Sequence, residues 1–203
     1  MKNLKINALA ILAILAISSC SKDDEPVKKV EPVNDEELIT NVNIVFTPEN
    51  GGNTVILGWS DSDGVDGPNA PVFAPITNRF KTNKTYNGVV TILDQSKNPV
   101  GNVTEEVLKE AADHQIFYIK TGGLPDFTYT PKADAATNYD ANGKPVGLQT
   151  RFTTATTAGS GSLRIVLKHE GNKSLEGVAA GLFANATGAS DFDIIFLGLE
   201  VVE

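Results

Sequence analysis

The chain has little of what covalent and redox chemistry needs. Among its 203 residues there is one cysteine, one methionine, one tryptophan and two histidines. A single thiol excludes an intramolecular disulfide, even in a compartment that would allow one. There is no G-x-S-x-G elbow, no H-E-x-x-H pair and no phosphate loop. Carboxylates are plentiful, but no two stand out as a glycosidase acid and base. The expectation from these absences is a protein that is not an enzyme. Seventeen basic residues against twenty-five acidic ones, a net charge of −8, exclude nucleic acid as a partner, because phosphates demand clustered Lys and Arg. No apolar run reaches the ~20 residues that a membrane-spanning helix requires.

What is there begins with the N-terminus. Lys2 and Lys5 supply a positive start, and Ala8 to Ile17 form an apolar stretch of ten residues, the length of a signal-peptide core. Ser18 and Ser19 then lead into the lone cysteine, Cys20. This arrangement marks residues 1–19 as a lipoprotein signal peptide and Cys20 as the residue that is acylated. Acyl chains contribute roughly 0.8 kcal/mol per buried CH₂, so several of them hold a protein firmly on a membrane. Lys22, Asp23 and Asp24 follow within Ser21-Lys22-Asp23-Asp24-Glu25. Residues 20–35, with Pro26, Lys28, Lys29, Glu31 and Pro32, have the composition of a flexible tether. Loss of the leader removes two lysines and leaves 15 basic against 25 acidic residues, a net of −10.

Residues 36–203 read as one all-β domain. Apolar residues alternate at Val42/Ile44/Phe46, Val55/Leu57/Trp59, Tyr86/Val90/Ile92, Leu148/Thr150/Phe152 and Leu163/Ile165/Leu167, with turn residues between the runs. Ile116–Lys120 and Phe127–Thr130 add short strands, and Phe192–Val201 reads as a strand buried on both faces. Seven to nine strands without alternating helices predict an antiparallel, immunoglobulin-like β-sandwich. One short helix interrupts it: Thr104 is the expected N-cap, Glu105 and Glu106 favour the positive end of the dipole, and the helix should close near His114. Gly159-Ser160-Gly161-Ser162 reads as a flexible turn before a strand.

Three constellations could hold a cation. Asp61, Asp63 and Asp66 sit in a glycine-bearing turn suited to calcium, which takes six to eight oxygens. Val65 occupies the fifth position of that loop, where a donor is wanted, and no glutamate closes it. Asn138, Asp140 and Asn142 match the opening of a calcium loop better, with Gln149 at its twelfth position; Asn142-Gly143 is equally a hairpin signal. His114 and His169 could share Zn²⁺ or Cu²⁺ if they met beside an acid such as Asp113 or Glu170. They stand 55 residues apart, without ligand-pair spacing. For a sugar ligand, Tyr129 and Tyr139 are the exposed aromatic candidates, since Trp59 is in phase with the core.

Several stretches resemble a family of small surface lipoproteins of flavobacteria and other Bacteroidota: Asp61 to Pro71, Thr85-Tyr86-Asn87-Gly88, Thr104 through Gln115, Asn142-Gly143-x-Pro145-Val146-Gly147-Leu148, and Leu167-Lys168-His169-Glu170. The lysine and two acids at Lys22, Asp23 and Asp24 also look like the export signal of that phylum. The resemblance implies an outer-membrane address facing the cell exterior, membrane attachment through acyl chains, and a protein or glycan as ligand. It implies no particular activity and no cofactor; calcium is an expectation of the acidic loops alone. A label often given to such proteins, "type 1 periplasmic binding fold superfamily", implies two lobes of alternating β and α units, whereas the strand pattern here implies a sandwich. Val65 stands as an insertion where relatives read a more compact Asp-Gly-Asp-Gly.

Overall fold

The computed structural model describes residues 38–64 and 67–203, which belong to one compact unit, Glu36–Glu203. Cys20, Lys22, Asp23, Asp24 and Asp66 lie outside the described residues. The strands are β1 (Asn41–Pro48), β2 (Val55–Ser60), β3 (Val72–Phe73), β4 (Phe80–Lys81), β5 (Thr85–Leu93), β6 (His114–Lys120), β7 (Thr128–Tyr129), β8 (Gln149–Thr153), β9 (Gly159–His169) and β10 (Ala189–Val202). The single α-helix among the described residues, α1, spans Val103–Lys109. One sheet has the order β3-β2-β1-β5-β8-β7 and the other β4-β10-β9-β6. No helix among the described residues is long and apolar enough to cross a membrane.

The sheets form because each strand carries one apolar face. In β1 the residues Val42, Ile44 and Phe46 are wholly buried while Asn43 and Thr47 are exposed. β2 and β5 pair with it on either side in antiparallel register, Ile44 opposite Leu57 and Val90. The second sheet supplies Ile165, Leu163, Leu167, Phe192 and Ile194 to the same core. Two apolar faces closing on each other make the sandwich that the alternation predicts. Phe46 is the hub of an aromatic cluster, with its ring 5.4–5.8 Å from those of Phe80, Phe127 and Phe152. Trp59 is 5 % exposed and belongs to the core, as its phase requires.

Five local expectations are corrected. β10 is not buried on both faces: Phe192, Ile194 and Phe196 point inward, but Ile195 and Leu197 are exposed. Its pairing with β4 is parallel, so the second sheet is not wholly antiparallel. The helix is capped by Asn102, whose amide donates to Glu105 Oε1 at 2.9 Å, and not by Thr104. Thr104 lies inside the helix, where its hydroxyl accepts from Ile92 N and donates to Ile92 O, at 2.7 and 3.1 Å, and so ties α1 to β5. The helix stops at Lys109, and His114 opens β6 instead of ending it. Finally, Gly159–Ser162 is not a turn but the first part of β9, because Gly161 lets the strand lie against the backbone of Thr121; a Cβ there would drive into the Thr121 carbonyl.

Candidate metal centre

The two histidines meet. β6 and β9 run antiparallel with His114 directly opposite His169, and Ile116 opposite Leu167. Both histidines therefore take the inward face that Leu167 and Ile116 also occupy, at the end of the sheet. His114 is fully buried and His169 is 7 % exposed. Their rings stack with centroids 4.5 Å apart at an interplanar angle of 12°.

A third group is aimed at them by a defect in the strand. The register of β10 against β9 passes from Ala189 opposite His169 and Ser190 opposite Lys168 to Phe192 opposite Leu167. Asp191 is the extra residue at that shift, and such bulges re-aim side chains. The Asp191 carboxylate, 7 % exposed, spans the two rings: Oδ2 lies 3.6 Å from His114 Nε2 and Oδ1 lies 3.7 Å from His169 Nδ1. On the other side, Glu110, just past the end of α1, places Oε2 3.9 Å from His114 Nδ1. The donor atoms of Glu110, His114 and His169 all lie within 4.8 Å of one another.

The backbone selects the tautomer of His114. The Glu110 carbonyl is 3.2 Å from His114 Nδ1 and also accepts from His114 N at 3.3 Å. With Nδ1–H donating to that carbonyl, the lone pair of Nε2 faces Asp191. A ring nitrogen fixed by a backbone carbonyl while the other is turned toward a ligand is the usual support for a metal-binding histidine. The N···O separations of 3.6–3.9 Å exceed the ~2.7–3.2 Å of a hydrogen bond. They are close to the ~3.4 Å edge of a tetrahedron whose metal–ligand bonds are ~2.0–2.1 Å. With Nε2 of His114 as the ligand, it forms with His169 Nδ1 and the Asp191 carboxylate a nitrogen–oxygen set suited to Zn²⁺ or Cu²⁺, and the Glu110 carboxylate stands outside it on the Nδ1 side.

The acids are not those expected from sequence. Asp113 and Glu170 are exposed, and Asp191 and Glu110 stand in their place. Glu170 adopts φ 54° at the end of β9, which turns the chain away after His169. Nothing in the local pattern around Asp191 announces a bulge, so this ligand was invisible in sequence. The proximity of Glu110 and His114, four residues apart, was legible only as helix spacing, although a helix end and a new strand actually hold them.

The two acidic loops are differently committed. In the 138–142 loop, Asn138 exchanges bonds with Gln149, its Nδ2 donating to Gln149 O and its Oδ1 accepting from Gln149 N, both at 3.0 Å. Asp140 Oδ1 accepts from Asn142 N and Lys144 N at 2.8 and 2.9 Å. Its other oxygen lies 3.7 Å from the buried ammonium of Lys173. The cation of this loop is thus the chain's own lysine. Gly143 alone carries the positive φ, 75°, of the Asn-Gly turn. In the other loop, Asp63 Oδ2 accepts from Asn69 N and Nδ2 at 3.1 and 2.9 Å. Burial, together with its hydrogen bond to Asp63, pushes the Asp61 carboxyl above its ordinary range. Burial opposes ionisation of Asp63 as well, but the Asn69 bonds and the Asp61 contact hold it below that range.

The hydroxyls of Tyr129 and Tyr139 are both engaged by main-chain carbonyls. Tyr129 donates to Ile116 O at 2.7 Å and accepts from Gln115 Nε2 at 2.9 Å; burial raises its pKa well above the ordinary phenol value. Tyr139 donates to Thr130 O at 2.8 Å. Both hydroxyls close loops onto the sandwich. No protein-family model, no curated protein and no solved structure matches the chain.

Proposed function

We propose that this protein is an outer-membrane lipoprotein facing the cell exterior, anchored through Cys20, whose non-catalytic β-sandwich binds a divalent transition-metal ion. The observation that carries the metal reading is the in-register pair His114 and His169 with Asp191 spanning both rings. Glu110 flanks His114 on its Nδ1 side, with 36 % of its side chain exposed. Zn²⁺ and Cu²⁺ fit this set better than Ca²⁺, which prefers six to eight oxygens. The anchor rests on the apolar leader and the small residues before Cys20, and the outward orientation on Lys22, Asp23 and Asp24.

The test is metal uptake by the purified protein, without a polyhistidine tag. One Zn²⁺ per chain should bind at micromolar concentration and raise the melting temperature, and Co²⁺ in its place should give the visible absorption of a low-symmetry, four-coordinate site. His169→Ala should lose both signals. Uptake below a tenth of an equivalent, with melting unchanged by Zn²⁺, Cu²⁺ or EDTA, would overturn the reading. For the address, protease on intact cells should cleave the domain; complete protection would refute an outward orientation.

A further inference from the structure

A second feature lies at the far end of β10. Asp191 and Glu200 are nine residues apart along this strand, roughly 30 Å at ~3.3 Å per residue, so what surrounds Glu200 is remote from the histidines. There an open groove of about 890 Å³ runs between the β1–β2 turn, the 76–84 segment and residues 198–202. Its volume lies within the range of small-ligand sites, ~300–1,000 Å³.

Three cations line it: Arg79, Lys81 and Lys84. Their backbones are fixed from below. Phe80, between the first two, is wholly buried and packs edge-on against Tyr86 at 5.2 Å, which turns Arg79 and Lys81 to the outer face of their strand. Tyr86 Oη accepts from Lys81 N at 2.9 Å. The buried Thr154 hydroxyl donates to Lys81 O at 2.6 Å and accepts from Lys84 N at 3.0 Å, and Asn83 takes φ 55° to bring Lys84 back beside Lys81. The cationic rim is therefore built by the core and not by loop composition.

Charge in the groove is unbalanced. Arg79 pairs with Glu200 at 2.5 Å, and Lys81 Nζ donates to the main-chain oxygen of Glu203. Lys84 has no ion-pair partner among the described residues. Three cations in one groove, with Lys84 outside every ion pair among the described residues, stand out on a chain of net charge −8, and a cleft rich in one sign concentrates counter-ions of the other. Beside the cations are amides and a hydroxyl: Asn53, Asn78 and Thr77. Thr77 Oγ1 accepts from Ile56 N and Asn78 Nδ2 donates to Thr54 O, which leaves a hydroxyl proton and an amide oxygen turned to other use. Cations answer a carboxylate or sulfate, and mixed donors and acceptors answer neighbouring hydroxyls.

We infer that this groove binds an anionic sugar, a hexuronate or sulfated saccharide unit, with Lys84 and Lys81 on the anion and Asn78 and Thr77 on ring hydroxyls. The proposal does not depend on the metal centre.

Calorimetry on the purified full chain tests it with four probes: an oligogalacturonate, a sulfated oligosaccharide, an uncharged dextran oligomer and inorganic sulfate. Binding of one acidic oligosaccharide, weakened by salt and about tenfold weaker in Lys84→Gln/Lys81→Gln, supports the proposal. Lys109→Gln, on the helix, should bind as the parent does, and an unchanged melting temperature in each variant excludes unfolding as the cause. Equal affinity for dextran would overturn the role of charge. Equal affinity for inorganic sulfate would overturn the sugar, and silence from all four probes would overturn the site.

Discussion

The ammonium of Lys173 lies 3.7 Å from Asp140 Oδ2 and donates to the carbonyls of Ala111 and Pro145 at 2.5 and 3.0 Å. One buried cation thus joins the end of the helical segment, the 138–145 loop and the chain after His169. Burial lowers its pKa from 10.5 to about 8, although Asp140 resists the shift. Between pH 8 and 10.5 the unfolded chain therefore holds the proton that the folded chain has lost. Stability contributed at this site rises with pH across that window and is least below it. Urea midpoints should climb from pH 8 toward 10 more in the parent than in Lys173→Met, and parallel curves for the two would refute this.

Thr104→Val should loosen the helix from the first sheet. The change deletes both bonds to Ile92 while keeping the shape of the side chain. Leaving buried groups without partners costs about 1–3 kcal/mol. Thr104→Ser should recover most of the loss, as read by chemical denaturation.

Phe46→Ala removes the ring on which three other aromatic rings converge. The expected cost is about 3–5 kcal/mol, and Phe46→Leu should lose less. Thermal unfolding followed by near-ultraviolet dichroism would show both the lower midpoint and the altered aromatic environment.

Gly161→Ala should be far more damaging than its conservative look suggests. A Cβ at this position meets the Thr121 carbonyl, a backbone atom that cannot step aside. The second sheet would have to part at β9, and the melting temperature should fall by more than 10 °C, about 3–5 kcal/mol for a domain of this size.

Asp191→Asn keeps the bulge and the volume but removes the charge between the two rings. Metal affinity should fall about 10–100-fold. Glu170→Gln, one of the acids suggested by sequence proximity, should bind metal as the parent does. Competition with a chromophoric chelator separates the two outcomes.

Much of the fold was legible because its signals are local. Val42, Ile44 and Phe46 announce a one-faced strand by alternation alone, and Trp59 announces its burial by phase. The errors fall where a distant partner decides. Thr104 looks like a cap until Ile92 claims its hydroxyl, and Gly161 looks like a turn until Thr121 lies against it. Leu197 looks like core until the other sheet proves to cover only one face of β10.

The sites divide in the same way. The proposed anchor rests on the chain order of Lys2, the apolar stretch 8–17 and Cys20, because a signal of that kind is read along a linear segment. Alternation along the strands determined the sandwich for a similar reason: a period of two needs no knowledge of what lies opposite. The pairing of His114 with His169 is instead a matter of register between strands 55 residues apart, and the aim of Asp191 depends on one extra residue in β10. The three cations of the groove likewise converge through the packing of Phe80, Tyr86 and Thr154. Such contacts follow from which buried faces fit together, and only the tertiary structure could decide them.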